Sequence, residues 1–266
     1  MPRVTICTLG DLLLDVVVRL DGPIAADTDT YGCTSVGAGG QAANVAAWVA
    51  ALGGRARFIG KRARDAAGRI VLEELQQRGV EVLGPEEPSG TGTVVSVATP
   101  DGHRAMLSDR GVATAFARTE LDLSWLDGCA TLHVPGYSLV VEPLAATALA
   151  AADRAQHVSL DLSSTAAIES FGVQAFRERI ARLGPEVIFA TEAEADLVGD
   201  VEVETWVVKR GARGCSVDGC DYPARPAELV DSTGAGDAFA AGFLVGGPEL
   251  ALDAAARCVS KLGAMP

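Results

Sequence analysis

Apolar and polar positions along this chain switch repeatedly between a period of about two and one of about 3.6, the signatures of strand and helix. Residues 4–10 (VTICTLG) are rich in β-branched side chains and stopped by glycine, which predicts a first strand. Strong helix formers over 41–52 (QAANVAAWVAAL) predict a helix that Gly53 and Gly54 close. A short strand follows at 57–60 (RFIG). A helix over 64–79 then carries Ile70, Val71 and Leu75 on one face and ends at Gly79. Further on come a strand at 131–134, a helix at 142–155, a strand at 157–162, a helix at 174–184, a strand at 186–190, a helix at 192–199 and a strand at 205–209. Strands alternating with helices predict βαβ units and a mostly parallel sheet, an α/β fold.

Two stretches break the alternation. Residues 12–40 hold extended pieces and a turn but no helical pattern, and 91–108 (TGTVVSVATPDGHRAMLS) read as a hairpin around Pro-Asp-Gly. Extended segments set into a βαβ chain pair with each other, which predicts a small sheet projecting from the edge of the main one, a lid. Two separate surface hairpins fit the same pattern.

Composition narrows the function. The 266 residues are 48% hydrophobic, ample for one α/β core, and no stretch has the composition of disorder. A net charge of −13 with no basic cluster argues against a nucleic-acid or anionic-membrane surface, though backbone amides can still hold a small phosphate. The six cysteines are scattered without a CxxC pair, and the closest two (CSVDGC, 215–220) lie far from any histidine, so reduced structural thiols are expected. The first residues lack the apolar core of a signal peptide, and no apolar run approaches the ~18–20 residues of a membrane span, so a cytoplasmic protein is expected.

The chemistry concentrates at 231–243 (DSTGAGDAFAAGF). Gly234 and Gly236 permit close backbone approach, and the helix that follows points its first amides, unpaired, into the loop. That is an anion site. An acid placed inside it, Asp237, makes sense where a carboxylate takes a proton from a hydroxyl while the amides hold developing negative charge. The pattern points to phosphoryl transfer onto an alcohol. No GxxxxGK[ST] loop occurs, and GAGGQAAN lacks the last glycine and the preceding strand of a dinucleotide fingerprint.

With 37–53 (GAGGQAANVAAWVAALG) upstream and 231–243 downstream, the chain resembles the ribokinase-like (PfkB) family of sugar and nucleoside kinases, through nearly its whole length. Supporting pieces are GDLLLD, TGTVVSVATPDGHRAML, TEAEA and VVKRGARG. The resemblance implies a three-layer α/β sandwich with a mostly parallel central sheet, a single domain over 1–266, and lid strands drawn from about 12–36 and 92–108. It implies Asp237 as catalytic base and the amides of Gly234, Ala235 and Gly236 as anion hole. Asp15 and Asn44 would bind sugar hydroxyls, with Gln41 beside them and Gly39 and Gly40 admitting the sugar to the backbone. Thr191, Lys209, Gly211 and Gly214 would line ATP, Glu194 would meet Mg²⁺ through water, and Asp231 with the Thr233 carbonyl would form a monovalent-cation loop for K⁺.

Departures temper the resemblance. Thr191 stands where the family usually has asparagine, Gln41 replaces a basic residue or glycine, and Arg110 lies in DRGVATAF without the frequent asparagine. The segment after the signature is short, which leads to an expectation of weak nucleotide affinity or K⁺ activation. The activity implied is ATP-dependent phosphorylation of a sugar hydroxyl. A nucleoside kinase of adenosine or pseudouridine type, or a catalytically weak sugar-binding paralogue, are the alternatives. An aromatic content of 5% leans toward a sugar, although Tyr31, Phe116 and Tyr137 could wall a base. The alternating stripe of Leu12, Leu14, Val16 and Val18 leads to the expectation of a homodimer through the lid.

Overall fold

The computed structural model describes residues 4–101 and 104–266. In chain order the elements begin with β1 (Thr5–Leu9), β2 (Leu13–Leu20), β3 (Gly32–Gly39), α1 (Gln41–Ala51), β4 (Arg55–Ile59), β5 (Arg62–Ala63), α2 (Ala66–Gln77), β6 (Glu81–Leu83) and β7 (Glu86–Glu87). Next come β8 (Thr91–Ala98), β9 (Arg104–Gly111), β10 (Thr131–Pro135), α3 (Leu144–Ala152), β11 (Val158–Asp161), α4 (Thr165–Phe171), α5 (Val173–Leu183) and β12 (Val187–Thr191). The last are α6 (Glu192–Val198), β13 (Thr205–Lys209), β14 (Cys215–Val217), β15 (Cys220–Tyr222) and α7 (Ala235–Val259).

The central sheet has nine strands in the order β15-β14-β13-β12-β11-β10-β1-β4-β6, parallel from β13 to β6, with β14 and β15 added antiparallel. Its strands are buried on both faces, as a doubly covered parallel sheet requires. Ile6, Phe58, Phe189 and Val207 face the alanine-rich helices α1 and α7. Cys7, Leu9, Leu132, Leu160 and Ile188 face α3, α4 and α5 on the other side. Alternation along each strand therefore divides the core in two, giving three layers.

The fold corrects several details. On α2, Val71 and Leu75 are fully buried, but Ile70 is 48% exposed and does not share their face. Leu12 does not belong to the lid stripe; it is buried in the main core just ahead of β2. The pair Cys215 and Cys220 belongs to a hairpin, β14–β15, turned by Asp218 (φ 49°) and Gly219 (φ 82°). The Asp-Gly in that stretch was a turn signal. Helix α4 and strand β6 are too short for periodicity to reveal. Helix α7 is the only one among the described residues long and apolar enough to cross a membrane, yet it breaks at Gly246–Gly247 and its first half is buried against the core.

A second sheet, β3-β2-β8-β9, stands off the main one, with β2 parallel to β8 and the outer pairs antiparallel. The turn of the 91–108 hairpin at Gly102 and His103 lies outside the described residues. Asp65 moors this sheet. Its carboxylate caps α2 at the Gly68 amide (2.8 Å) and also accepts from the amides of Gly90 (2.8 Å) and Thr91 (3.0 Å) and the Thr91 hydroxyl (2.6 Å), where β8 begins. Burial pushes its carboxyl up, but the Thr91 hydroxyl and these amides outweigh that and hold it well below the usual range. Replacing Asp65 by Ala should cost about 2 kcal/mol at pH 7, the sum of a lost cap and orphaned donors. Because the folded carboxyl titrates low, its stabilisation is present above about pH 4 and fades as acid reaches the folded-state value. Urea unfolding at pH 7 and pH 3 checks both: the gap between variant and wild type should shrink at the lower pH.

Candidate active site

The carboxyl ends of the parallel strands and the second sheet enclose a cleft of about 800 Å³. Such crevices at strand carboxyl ends are where α/β sheets bind ligands. Asp11 follows β1, Tyr137 follows β10, Ser163 follows β11, and Leu13, Asp15, Val94, Met106, Ser108 and Arg110 descend from the second sheet.

Asp237 sits at the floor, in the first turn of α7. Gly234 precedes that helix in the left-handed conformation (φ 76°), and a Cβ there would lie 2.5 Å from the Ala264 Cβ, so both its dihedral and its space demand glycine. The Asp237 Oδ2 accepts a 2.7 Å hydrogen bond from Asn44 Nδ2 on α1. Burial pushes the Asp237 carboxyl up to about 8; the Asn44 donor and the Lys209 charge oppose this, while Asp161 and Asp11 add to it. A carboxylate tuned this close to neutrality suits a general base. The other end of the Asn44 amide, Oδ1, is buried with no partner among the described residues and is available to a hydroxyl.

The remaining predicted residues divide by place. Asp15, Gly40, Gln41, Asn44, Thr233 and Gly234 line this cleft together with Asp237. Gly39 backs Asp15 so closely that an added Cβ would sit 2.1 Å from its carboxylate. The Gln41 Oε1 is engaged by the Ser163 hydroxyl at 2.6 Å. Ala235 and Gly236 form the first turn of α7, and a Cβ on Gly236 would lie 3.3 Å from Lys209 Nζ. Lys209 ends β13 and pairs with Asp161 Oδ2 at 2.5 Å. Thr191 and Glu194 form a reciprocal capping box on α6: the Thr191 amide donates to Glu194 Oε2 (2.7 Å) and the Glu194 amide to Thr191 Oγ1 (3.3 Å). Glu194 is nonetheless buried beside the Lys209 charge, a position from which it could meet Mg²⁺ through water. Gly211 and Gly214 are not among the cleft-lining residues; they shape the turn after β13, where a Cβ on Gly214 would strike the Tyr222 carbonyl at 2.0 Å.

Asp231 and Thr233 are engaged within the protein. The Asp231 carboxylate accepts from the Thr233 amide (2.9 Å) and hydroxyl (2.6 Å) and from the Gly263 amide (3.1 Å). The Thr233 carbonyl accepts from the Cys258 thiol at 3.3 Å. These bonds tie the loop to residues 258–264, and Trp48 Nε1 completes the tie at the Ala264 carbonyl (2.8 Å). A smaller cleft of about 460 Å³ opens beside Trp48, between Pro226, Ala227 and the last turns of α7 with Arg257 and Lys261.

The cleft also gathers Asp11 and Arg110, with Asp161 close behind it. Asp11 is buried, accepts from the Ala42 amide and pairs with Arg110, whose guanidinium lies 3.9 Å over the Tyr137 ring. Asp161 is the one charged residue of the buried strand β11, and no local motif marks it.

The pfkB family carbohydrate kinase pattern matches residues 4–265. The chain belongs to the PfkB family of carbohydrate kinases. Fructokinase-1 of Oryza sativa subsp. japonica is 28% identical to this PfkB protein over 269 residues, 90% of this chain and 81% of its own. An ATP-dependent ribose-1-phosphate kinase of Halopiger xanaduensis is 30% identical over 276 residues, 96% of this chain and 90% of its own. The crystal structure of adenosine kinase from Sinorhizobium meliloti superposes with a TM-score of 0.89 at 24% identity, covering 99% of this chain and 96% of that one, which establishes the ribokinase-like α/β fold.

Replacing Asp237 by Asn should leave a folded protein that has lost ~10²–10⁴-fold in phosphoryl transfer. It should also be more stable than wild type. A carboxyl raised to about 8 in the folded state binds a proton that the unfolded chain releases near pH 4, so wild-type stability falls as pH rises between those values. Thermal melts from pH 4 to 9 should show the advantage of the Asn variant growing until about pH 8 and then levelling. Turnover near that of wild type would remove Asp237 from the reaction.

Proposed function

We propose that this PfkB carbohydrate kinase transfers the γ-phosphoryl group of ATP to a hydroxyl of a small sugar held over Asp237. The observation that carries the reading is the half-buried Asp237, held by the buried Asn44 at 2.7 Å, at the amino end of α7. Asp237 takes the hydroxyl proton as the oxygen attacks phosphorus. The amides of Gly234, Ala235 and Gly236, at the positive end of the helix, meet the charge that gathers on the transferred group. Asp15 and Asn44 orient the sugar hydroxyls, and the Asp11–Arg110 pair braces the wall behind them. Lys209 would meet the phosphates, Glu194 would hold Mg²⁺ through water so that the ion, when bound, supplies charge neutralisation, and the cleft beside Trp48 would take the nucleotide base. The protein works in the cytoplasm on a free small molecule, without nucleic acid or membrane.

A second reading rests on the far end of the acceptor cleft. Tyr137, Val140, Val141 and Phe171 line it, an apolar wall that a free sugar does not need and a nucleoside base would fill. Turnover of MgATP with fructose, ribose, ribose 1-phosphate and a set of nucleosides separates the two readings, and a silent panel would overturn both. With the best acceptor, Gly39→Ala should raise the acceptor KM about tenfold or more by displacing Asp15, while leaving the ATP KM near its starting value. Equal rises in both constants would make Gly39 a matter of folding alone.

The lid sheet supports a homodimer. Its face away from the cleft carries Val16, Val36, Val95 and Leu107, with Val36 and Leu107 each 61% exposed. An apolar sheet face of this kind is covered when two copies pair. Light scattering should give a dimer at micromolar concentration for the wild type and a monomer for Val36→Glu/Leu107→Lys. A monomeric wild type would end the proposal.

A further inference from the structure

Asp161 has no part in the roles assigned so far, yet its side chain is 1% exposed and it ends β11 at the carboxyl edge of the sheet, two residues before the cleft-lining Ser163. Its Oδ1 accepts from the Ser163 amide at 3.0 Å and its Oδ2 holds Lys209 Nζ at 2.5 Å. The pair does not join neighbouring strands: β12 lies between β11 and β13, so Lys209 leans across a whole strand to reach it. The amine thereby lies next to Gly236, close to the first amides of α7.

That is a hostile place for a cation. The start of a helix carries partial positive charge and repels an ammonium group. Two arrangements relieve the repulsion: a carboxylate beside the lysine, or a phosphate bound by the lysine and the amides together. The first is what the structure contains. We propose that Asp161 is a positioning residue for phosphoryl transfer, anchoring the Lys209 ammonium beside Gly236 so that it meets the incoming phosphoryl group already in place. The inference rests on the kinase reading above and adds a residue to it.

The charges around the base make the proposal readable. Asp237 is faced by Asn44 on α1, Asp11 after β1, Asp161 on β11, Lys209 on β13 and Cys258 on the second half of α7, while Glu194 on α6 acts on Lys209. Asp161 disfavours the ionised base and Lys209 favours it. Removing Asp161 deletes a neighbouring negative charge and releases the lysine charge onto Asp237; removing Lys209 does the opposite.

The test uses the full chain with MgATP and its best acceptor, in wild type, Asp161→Asn, Lys209→Met and the double variant. Lys209→Met should raise the ATP KM about ten- to a hundredfold, as for one lost charge-assisted contact, with the acceptor KM little changed. Asp161→Asn should lower kcat by about tenfold or more and move the acid limb of the kcat/KM profile down by roughly half to one pH unit, whereas Lys209→Met should move it up. The double variant, which removes the buried pair symmetrically and so tolerates folding best, should match Lys209→Met alone in kcat and ATP KM, while its acid limb falls back toward that of wild type because both charges are gone. An unmoved limb in Asp161→Asn, a shift in the same direction as Lys209→Met, or additive losses of kcat and ATP KM in the double variant would overturn the proposal. If Asp161→Asn does not fold, the comparison becomes Lys209→Met against the double variant: equal ATP KM and equal kcat support it, and a further loss sinks it. A wild type that phosphorylates no acceptor defeats the kinase reading instead. Calorimetric ATP titrations would then still read the pair, since an effect of Asp161→Asn on ATP affinity must vanish in the Lys209→Met background for the proposal to stand.

Discussion

A half-buried acid whose charge its neighbours both oppose and support is the constraint around which this molecule is organised. The Asp237 carboxyl is largely shielded from water, which favours its neutral form, and pushed further that way by Asp161 and Asp11. Two things make the anion attainable: the 2.7 Å hydrogen bond from Asn44 and the lysine charge nearby. Each comes from a different element, so the position of the base depends on α1, β13 and α7 keeping register with one another. The close packing of α1 on α7 follows from that demand. Alanines 42, 43, 46 and 47 of α1 and 238, 240 and 241 of α7 share one buried core.

The same demand explains where glycine is indispensable. At Gly234 the chain must turn left-handed against residue 264, and at Gly39 it must pass beneath the Asp15 carboxylate. A side chain at Gly234 would push away Ala264, and one at Gly39 would displace the cleft-lining Asp15 carboxylate. The second sheet, moored by Asp65, brings Asp15 and Arg110 over the cleft from the opposite side, so the cleft is walled by two separate sheets.

Most of the architecture was legible in the sequence because its elements are long and obey one period each. Strand β1, helix α1 and the alternating elements from β10 to β13 follow directly from apolar spacing. What escaped was short or decided by long-range contacts. Helix α4 and strand β6 span too few residues to show a period. Ile70 is as apolar as Val71 and Leu75, but at five residues from Leu75 it lies round the helix from the buried face of α2 and is 48% exposed. At the site, residues carried by a local motif, such as Asp237, Gly234 and Asn44, could be picked out. Asp161 could not, because its significance is a partner 48 residues away on a strand that is not its neighbour. Thr191 and Glu194 read as nucleotide contacts by resemblance, and the capping box they form gives them a structural role as well. No spacing could foretell that the Asp231 and Thr233 oxygens bond within the loop and to residues 258–263.

Trp48 gives this arrangement an optical consequence. Its indole N–H is bonded to the Ala264 carbonyl, and Arg257 and Lys261 stand 5.4 and 5.2 Å from its ring. Residue 264 in turn packs on Gly234 at the mouth of the anion hole. Of the three tryptophans in the chain, Trp48 is thus wired to the loop before the base, and indole emission is sensitive to both a hydrogen bond at nitrogen and a charge beside the ring. Trp125 and Trp206 lie on the opposite side of the sheet, so a chain keeping Trp48 alone carries its own native probe of what happens at that loop.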